Sequence, residues 1–101
     1  MSSRDRMRRT LIAYDVPDDR RRLRVARLLE QYGDRIQYSV FVVDLLPSKL
    51  LQLKSGLKEV IDPRADSILL CDLGLVKTLT EADFSYMGQQ RTVTQQGPMI
   101  L

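Results

Sequence analysis

The sequence predicts an α+β fold of the ferredoxin-like type, a βαββαβ sandwich with both helices on one face of a single antiparallel sheet. Three observations predict it. Apolar runs rich in strand formers occur at residues 9–16, 35–46 and 67–73. The two stretches between them carry apolar residues three and four apart, the spacing of a half-buried helix. Proline, glycine and an Asp-Pro pair fall at the joins, where turns belong. The middle run is long enough for two strands, which completes the order.

The first strand, R-T-L-I-A-Y-D-V at 9–16, is apolar on both faces until its end and reads as a buried central strand. Pro17 stops it. Asp18 or Asp19 then caps a helix, worth about 1 kcal/mol. That helix runs to about Tyr32, with Gly33 as the residue past its end. Its stripe is Val25, Leu28, Leu29 and Tyr32 with Ala26 beside them, while Leu23 falls on the opposite side. Residues 35–46 read as two short antiparallel strands bent near Tyr38 and Ser39. Pro47 and Ser48 open a second helix with the stripe Leu50, Leu53, Leu57 and Val60, and Asp62 followed by Pro63 ends it. Residues 67–73 are the next strand, and Gly74 marks a turn. Residues 1–80 thus form the ferredoxin-like domain, with 1–7 an extension. Residues 81–101 form a tail closing on G-P-M-I-L. A terminal strand there would pair with an exposed sheet edge, in its own subunit or a second one; the competing reading is a frayed end.

Composition narrows the chemistry. The 101 residues suffice for one domain. No apolar run approaches the roughly 20 residues of a membrane span, and the polar N-terminus is unlike a signal peptide. The single cysteine, Cys71, excludes an internal disulfide and fits a reducing cytoplasm. Its apolar setting reads as a buried, inert thiol. The chain has no histidine. Ser-His-Asp and Cys-His nucleophiles, imidazole bases and Cys/His zinc sites are therefore excluded. Any catalysis must rest on carboxylates, hydroxyls, arginines or a hard metal ion.

Charge is uneven. Residues 1–35 hold ten arginines and six acids, whereas the remainder is slightly acidic within a net charge of +3. Every base in that first third is Arg, whose flat, forked donors suit phosphate. Either these arginines contact phosphates or they form a solvated helix face.

The stretch Y-D-V-P-D-D-R-R-R at 14–22 sets three carboxylates and three arginines at a strand-to-helix turn. Asp15 closes a strand that otherwise reads as apolar. An acid in that place needs an arginine, a backbone N–H or a cation. Helical spacing turns Arg21 and Arg22 back towards the sheet and Asp15, and Arg20, Arg24 and Arg27 outward. One reading makes Asp15 the ion-pair partner of Arg21 or Arg22, with Asp18 and Asp19 as caps. The other makes it a functional carboxylate.

That stretch, followed by L-L-E-Q-Y-G-D-R-I-Q-Y-S-V-F, the second helix and D-S-I-L-L, resembles the CRISPR-associated endoribonuclease family. This is the smaller of the two universal spacer-acquisition proteins. The likeness covers about residues 8–73, and the closing G-P-M-I-L is similar to the family's C-terminal strand. The resemblance implies a homodimer in which Asp15 is the catalytic residue and faces its two-fold mate. The two carboxylates would share Mg²⁺, or Mn²⁺ in its place. It implies that Tyr14, Arg22, Arg24, Arg35, Ser39 and Phe41 flank the path of the nucleic acid, RNA or duplex DNA. Arg35 and the helix arginines would hold phosphates. Ser39 would donate to one, or serve as the turn residue. Phe41 would stack, form dimer surface or pack in the core. The larger CRISPR integrase subunit is the implied protein partner. Val42 stands where the family commonly has an acid, and Leu70 with Cys71 where it commonly has an aromatic. The alternatives are a non-catalytic scaffold that bridges the integrase, an RNA-binding module and a toxin-type endoribonuclease of the same fold.

Overall fold

The computed structural model describes residues 3–80 and 83–89. Its central strand, β1 (Arg8–Asp15), is followed by α1 (Asp19–Glu30), β2 (Gly33–Gln37), β3 (Val40–Leu45), α2 (Pro47–Val60) and β4 (Ser67–Leu75). Short 3₁₀ turns flank this unit at Ser3–Arg6 and Val76–Thr78. All pairings are antiparallel and the strand order is β2-β3-β1-β4. The predicted ferredoxin-like βαββαβ order is therefore the observed one, with β1 in the middle.

Strand alternation sorts β1 into two faces. Thr10, Ile12 and Tyr14 are buried on one side, whereas Leu11 and Ala13 are half-buried and Asp15 exposed on the other. On the covered side Ile12, Tyr14, Phe41 and Val43 meet Val25, Ala26 and Leu29 of α1 and Leu53 and Leu57 of α2. Each large side chain buried there contributes about 1.5–3 kcal/mol. Leu23 is half exposed, as its spacing requires. Asp18 is the N-cap of α1 and its carboxylate accepts from the Arg21 N–H at 2.9 Å.

Four details differ from the sequence reading. β1 is central yet covered on one face only, because both helices lie on the same side. Cys71 pairs opposite Leu11 on the uncovered face, so its thiol is exposed rather than buried. Helix α1 ends at Glu30, and Gly33 is the first residue of β2 rather than a helix terminator. Its role is close approach: a Cβ there would lie 2.2 Å from the Val42 carbonyl oxygen and 2.7 Å from Val43 Cγ1. β4 continues past Gly74, whose φ of 104° accompanies a shift in register against Arg9 and Thr10.

The uncovered face is mostly apolar. Leu11 and Ala13 of β1 pair there with Val42 and Val40 of β3 and with Cys71 and Leu69 of β4. Leu69 is 62% exposed. At the β2–β3 side the chain beyond β4 returns over the sheet. Phe84 faces the Arg9 guanidinium at 5.8 Å, and the Tyr86 hydroxyl donates to the Ile36 carbonyl at 3.4 Å. The expected terminal strand at 97–101 lies outside the described residues. Among the described residues no helix is long and apolar enough to cross a membrane.

The close approach at Gly33 generates a stability prediction. Gly33→Ala should destabilise the fold by about 1–3 kcal/mol, the usual range for overpacking. The urea midpoint should fall while the slope stays unchanged. An unchanged midpoint would show that the β2–β3 edge opens freely enough to admit a methyl group.

Candidate active site and nucleic-acid interface

Asp15 ends β1 on the uncovered face, opposite Ser67 of β4. Its carboxylate is exposed and, among the described residues, forms no ion pair or side-chain hydrogen bond. The arginines placed to neutralise it are engaged elsewhere. Arg21 donates to both carboxylate oxygens of Asp66, at 2.7 and 3.1 Å, and lies 3.8 Å from Asp18. Arg22 pairs with Asp19 and donates from Nη1 to the Val16 carbonyl at 2.9 Å. The ion-pair reading of Asp15 is thereby corrected: Arg21 and Arg22 turn back towards the sheet as expected, but they meet Asp66 and the backbone beyond Asp15.

A hard divalent ion suits this donor chemistry in part. Mg²⁺ is usually held by one or two carboxylates, with water and substrate phosphate completing its shell. Asp15 offers one unengaged carboxylate, and no group of three or more acidic, Cys or His side chains gathers among the described residues. One chain therefore fits half of a shared site.

The neighbouring Tyr14 points the other way, into the covered face, and is 5% exposed. Its hydroxyl donates to the Tyr38 carbonyl at 3.4 Å and accepts from Arg35 Nη2 at 3.3 Å. Its backbone N–H donates to the Ser39 carbonyl at 3.0 Å. The Arg35 guanidinium lies 5.2 Å from the centre of the Phe41 ring, and the Tyr14 and Phe41 rings are 6.2 Å apart. Arg35 Nε is buried without a partner among the described residues. The cation is thus held by a hydroxyl and a π face, with no carboxylate opposing it among the described residues. Arg22 reaches the same rim from α1, and the Tyr38 side chain lies beside it.

The structure thus gathers Tyr14, Arg22, Arg35 and the Ser39 turn at one rim between α1 and the β2–β3 hairpin. Asp15 lies on the opposite face of the sheet. Arg24 is exposed on the outer side of α1. Ser39 occupies the two-residue turn, as the turn reading has it. Phe41 is fully buried, so it takes the core-packing role and has no free face for stacking. Two residues emerge only from the structure. Tyr38 is 72% exposed at the tip of the hairpin. The signal for it was a large aromatic in a turn, where no core can receive it. Asp66 is 45 residues from Arg21, and no local pattern joins them.

Residues 7–80 match the family described as CRISPR associated protein Cas2. A relative from Synechocystis sp., named CRISPR-associated endoribonuclease Cas2 3, is 47% identical over 73 residues, which is 72% of this chain and 78% of the relative. The crystal structure of Streptococcus pyogenes Cas2 at pH 6.5 superposes with a TM-score of 0.69 at 30% identity, covering 79% of this chain and 99% of that one. A chain from a partial Cas6-RT-Cas1–Cas2 complex superposes with a TM-score of 0.62, also at 30% identity, covering 84% and 95%.

The Arg21–Asp66 clamp ties the start of α1 to the loop before β4, and it generates a pH prediction. The Asp66 carboxylate has no exposed surface. The Arg21 guanidinium, with help from the Asp62 N–H and against the cost of desolvation, holds it below its ordinary pKa of 3.8. A carboxylate whose folded pKa is depressed contributes stability that is present above the ordinary value and is lost as pH falls through the folded one. The melting temperature should therefore drop below pH 3.8, and Asp66→Asn should both lower it at neutral pH and flatten that acid limb. An acid limb unchanged in Asp66→Asn would assign the loss to other carboxylates.

Proposed function

The chain belongs to the CRISPR associated protein Cas2 family, and on that footing we propose that it serves spacer acquisition as a homodimer that binds nucleic acid and cuts it with a divalent metal. The observation that carries this reading is Asp15, an exposed carboxylate without a partner among the described residues, at the end of an apolar sheet face that they leave uncovered. Two-fold packing of that face presents the same residues from both subunits, so one carboxylate per chain becomes a pair. Relatives named as endoribonucleases support the cutting role. A neighbour drawn from a complex with Cas1 supports the larger integrase subunit as protein partner.

In this reading Asp15 of each protomer holds the ion, Mg²⁺ or Mn²⁺. When bound, such an ion neutralises charge at a phosphodiester and acidifies water. The chain's own groups do the rest. Arg35, fixed by Tyr14 and Phe41, and Arg22, fixed on the Val16 carbonyl, offer donors to phosphate oxygens at the rim. Exposed Arg24 adds a contact on the outer side of α1. Tyr14 acts by position, since its hydroxyl sets both the Arg35 guanidinium and the hairpin turn. No imidazole is present to take a proton.

The proposal is tested with the full chain and RNA and duplex DNA substrates. Wild type should sediment as a dimer at micromolar concentration and should cut only with Mg²⁺ or Mn²⁺, stopping on chelation. Asp15→Asn should abolish cutting while leaving the dimer and binding intact. Cleavage that survives Asp15→Asn or chelation would refute the metal role.

Phosphate contacts have their own signature. Affinity for duplex should fall by about 0.9 log units per log unit of salt for each phosphate neutralised. Arg24→Ala and Arg22→Ala should each flatten that slope by up to about one contact. A slope unmoved by both substitutions would assign the two side chains to solvation of the helix.

A further inference from the structure

No side chain among the described residues holds the Asp15 carboxylate by an ion pair. Asp15 also stands on the last rung of the β1–β4 ladder, opposite Ser67. Its place is therefore set by the backbone, and the backbone is tied down just beyond that rung on both strands. Asp66 immediately precedes Ser67. Its enclosed carboxylate accepts from Arg21 Nε at 2.7 Å and from Nη2 at 3.1 Å. Arg21 lies in the first turn of α1, the helix that follows Asp15. Its backbone N–H donates to the Asp18 carboxylate at 2.9 Å, and its guanidinium lies 3.8 Å from the same group.

The loop before β4 is closed on itself. Asp66 Oδ2 accepts from the Asp62 N–H at 2.8 Å, and the Asp66 N–H donates to the Asp62 carbonyl at 2.8 Å. The Asp62 carboxylate accepts from the Arg64 N–H at 2.9 Å. Residues 62–66 thus form a braced turn, and Arg21 joins that turn to α1.

Stability alone does not call for a charge in this place. Desolvation offsets much of the attraction in an enclosed ion pair, and apolar side chains of similar volume often hold as well. Two parallel donors on a flat guanidinium add direction, because they fix one carboxylate in one orientation. Direction matters beside Asp15 for a reason of symmetry. In a two-fold pair a displacement of Asp15 is repeated in the partner, so the gap between the carboxylates changes by up to twice that displacement. Mg²⁺ tolerates little of this, since its oxygen ligands lie at about 2.0–2.1 Å in a near-octahedral shell.

We propose that Asp66, acting through Arg21, is a positioning residue for Asp15. The pair fixes the end of β1 so that the carboxylates of two subunits stand at the separation a shared divalent ion requires. Asp66 has this role only if Asp15 holds the metal as proposed above.

The test measures Mn²⁺ binding to the full chain by loss of the free-ion EPR signal, well below the melting temperature of every variant. Wild type should bind one ion per dimer and Asp15→Asn none. Asp66→Asn, which keeps size and loses charge, should weaken Mn²⁺ binding about ten-fold, as loss of the support behind a metal ligand does. Arg21→Lys, which keeps charge and loses the fork, should do the same. Should Asp66→Asn not fold, Arg21→Lys decides alone. Cleavage by either variant should need correspondingly more Mn²⁺, with KM for the nucleic acid unchanged. Gly33→Ala is the control for stability. Gly33 pairs with Val43, and Val43 with Thr10, far from the Asp15 rung, so its Mn²⁺ affinity should match wild type. If Asp66→Asn and Arg21→Lys bind Mn²⁺ like wild type while Asp15→Asn does not, the pair only ties the loop and the positioning role is wrong. If Gly33→Ala weakens binding as much as they do, the effect is one of stability and the role is again wrong. If wild type binds no Mn²⁺, or Asp15→Asn binds it equally, the metal reading falls and the role of Asp66 with it.

Discussion

Successive side chains of a strand leave opposite faces of its sheet, and in β1 that rule separates Tyr14 from Asp15. Tyr14 enters the helix-covered core, where its hydroxyl organises Arg35 and the β2–β3 turn. Asp15 emerges on the uncovered face, without an ion-pair or side-chain hydrogen-bond partner among the described residues. Two adjacent residues thus serve two surfaces, a cationic rim and a carboxylate. A one-residue slip of β1 would exchange them, burying an unpaired charge and exposing the tyrosine. Pairing to both β3 and β4 guards against that slip.

The uncovered face gives Asp15 its setting. An antiparallel sheet open to water on one side ordinarily alternates apolar and polar residues. Here Leu11, Ala13, Val40, Val42, Leu69 and Cys71 occupy the open side as well. Among the described residues Phe84 and Tyr86 cover it near the β2–β3 side. A carboxylate at the margin of such a surface gains strength when the surface is covered, because charge interactions grow as water is excluded.

The arginine surplus divides into two functions. Arg8 with Asp72, Arg9 with Asp44, Arg21 with Asp66 and Asp18, and Arg22 with Asp19 form ion pairs, and two of these lace β1 to its neighbouring strands. The exposed pairs among them contribute little because water screens them, whereas Asp66 is enclosed and ties the start of α1 to the loop before β4. Arg20, Arg24 and Arg27 stay on the outer side of α1. Arg35 is held against Phe41 and Tyr14. Composition counted these side chains together, and only their partners distinguish them: Arg22 pairs with Asp19 and also reaches the rim, whereas Arg24 and Arg35 have no acid partner among the described residues.

Local patterns by themselves determined the elements. Period-two and period-3.6 apolar spacing, Asp18 as a cap and the prolines at the joins sufficed for the ferredoxin-like order and for β1 at its centre, since each acts within a few residues. The motif spanning Tyr14 and Asp15 likewise marked the candidate site. Tertiary structure decided what depends on partners far along the chain. It left Cys71 in the open and Asp15 without an ion-pair partner among the described residues. It brought Asp66 to Arg21 across 45 residues, and it pressed Gly33 against the Val42 carbonyl. It buried Phe41 and left Tyr38 exposed, although both aromatics lie in the same apolar run. Apolar spacing records which residues can share a face; whether that face is covered is settled by elements that fold onto it from elsewhere in the chain.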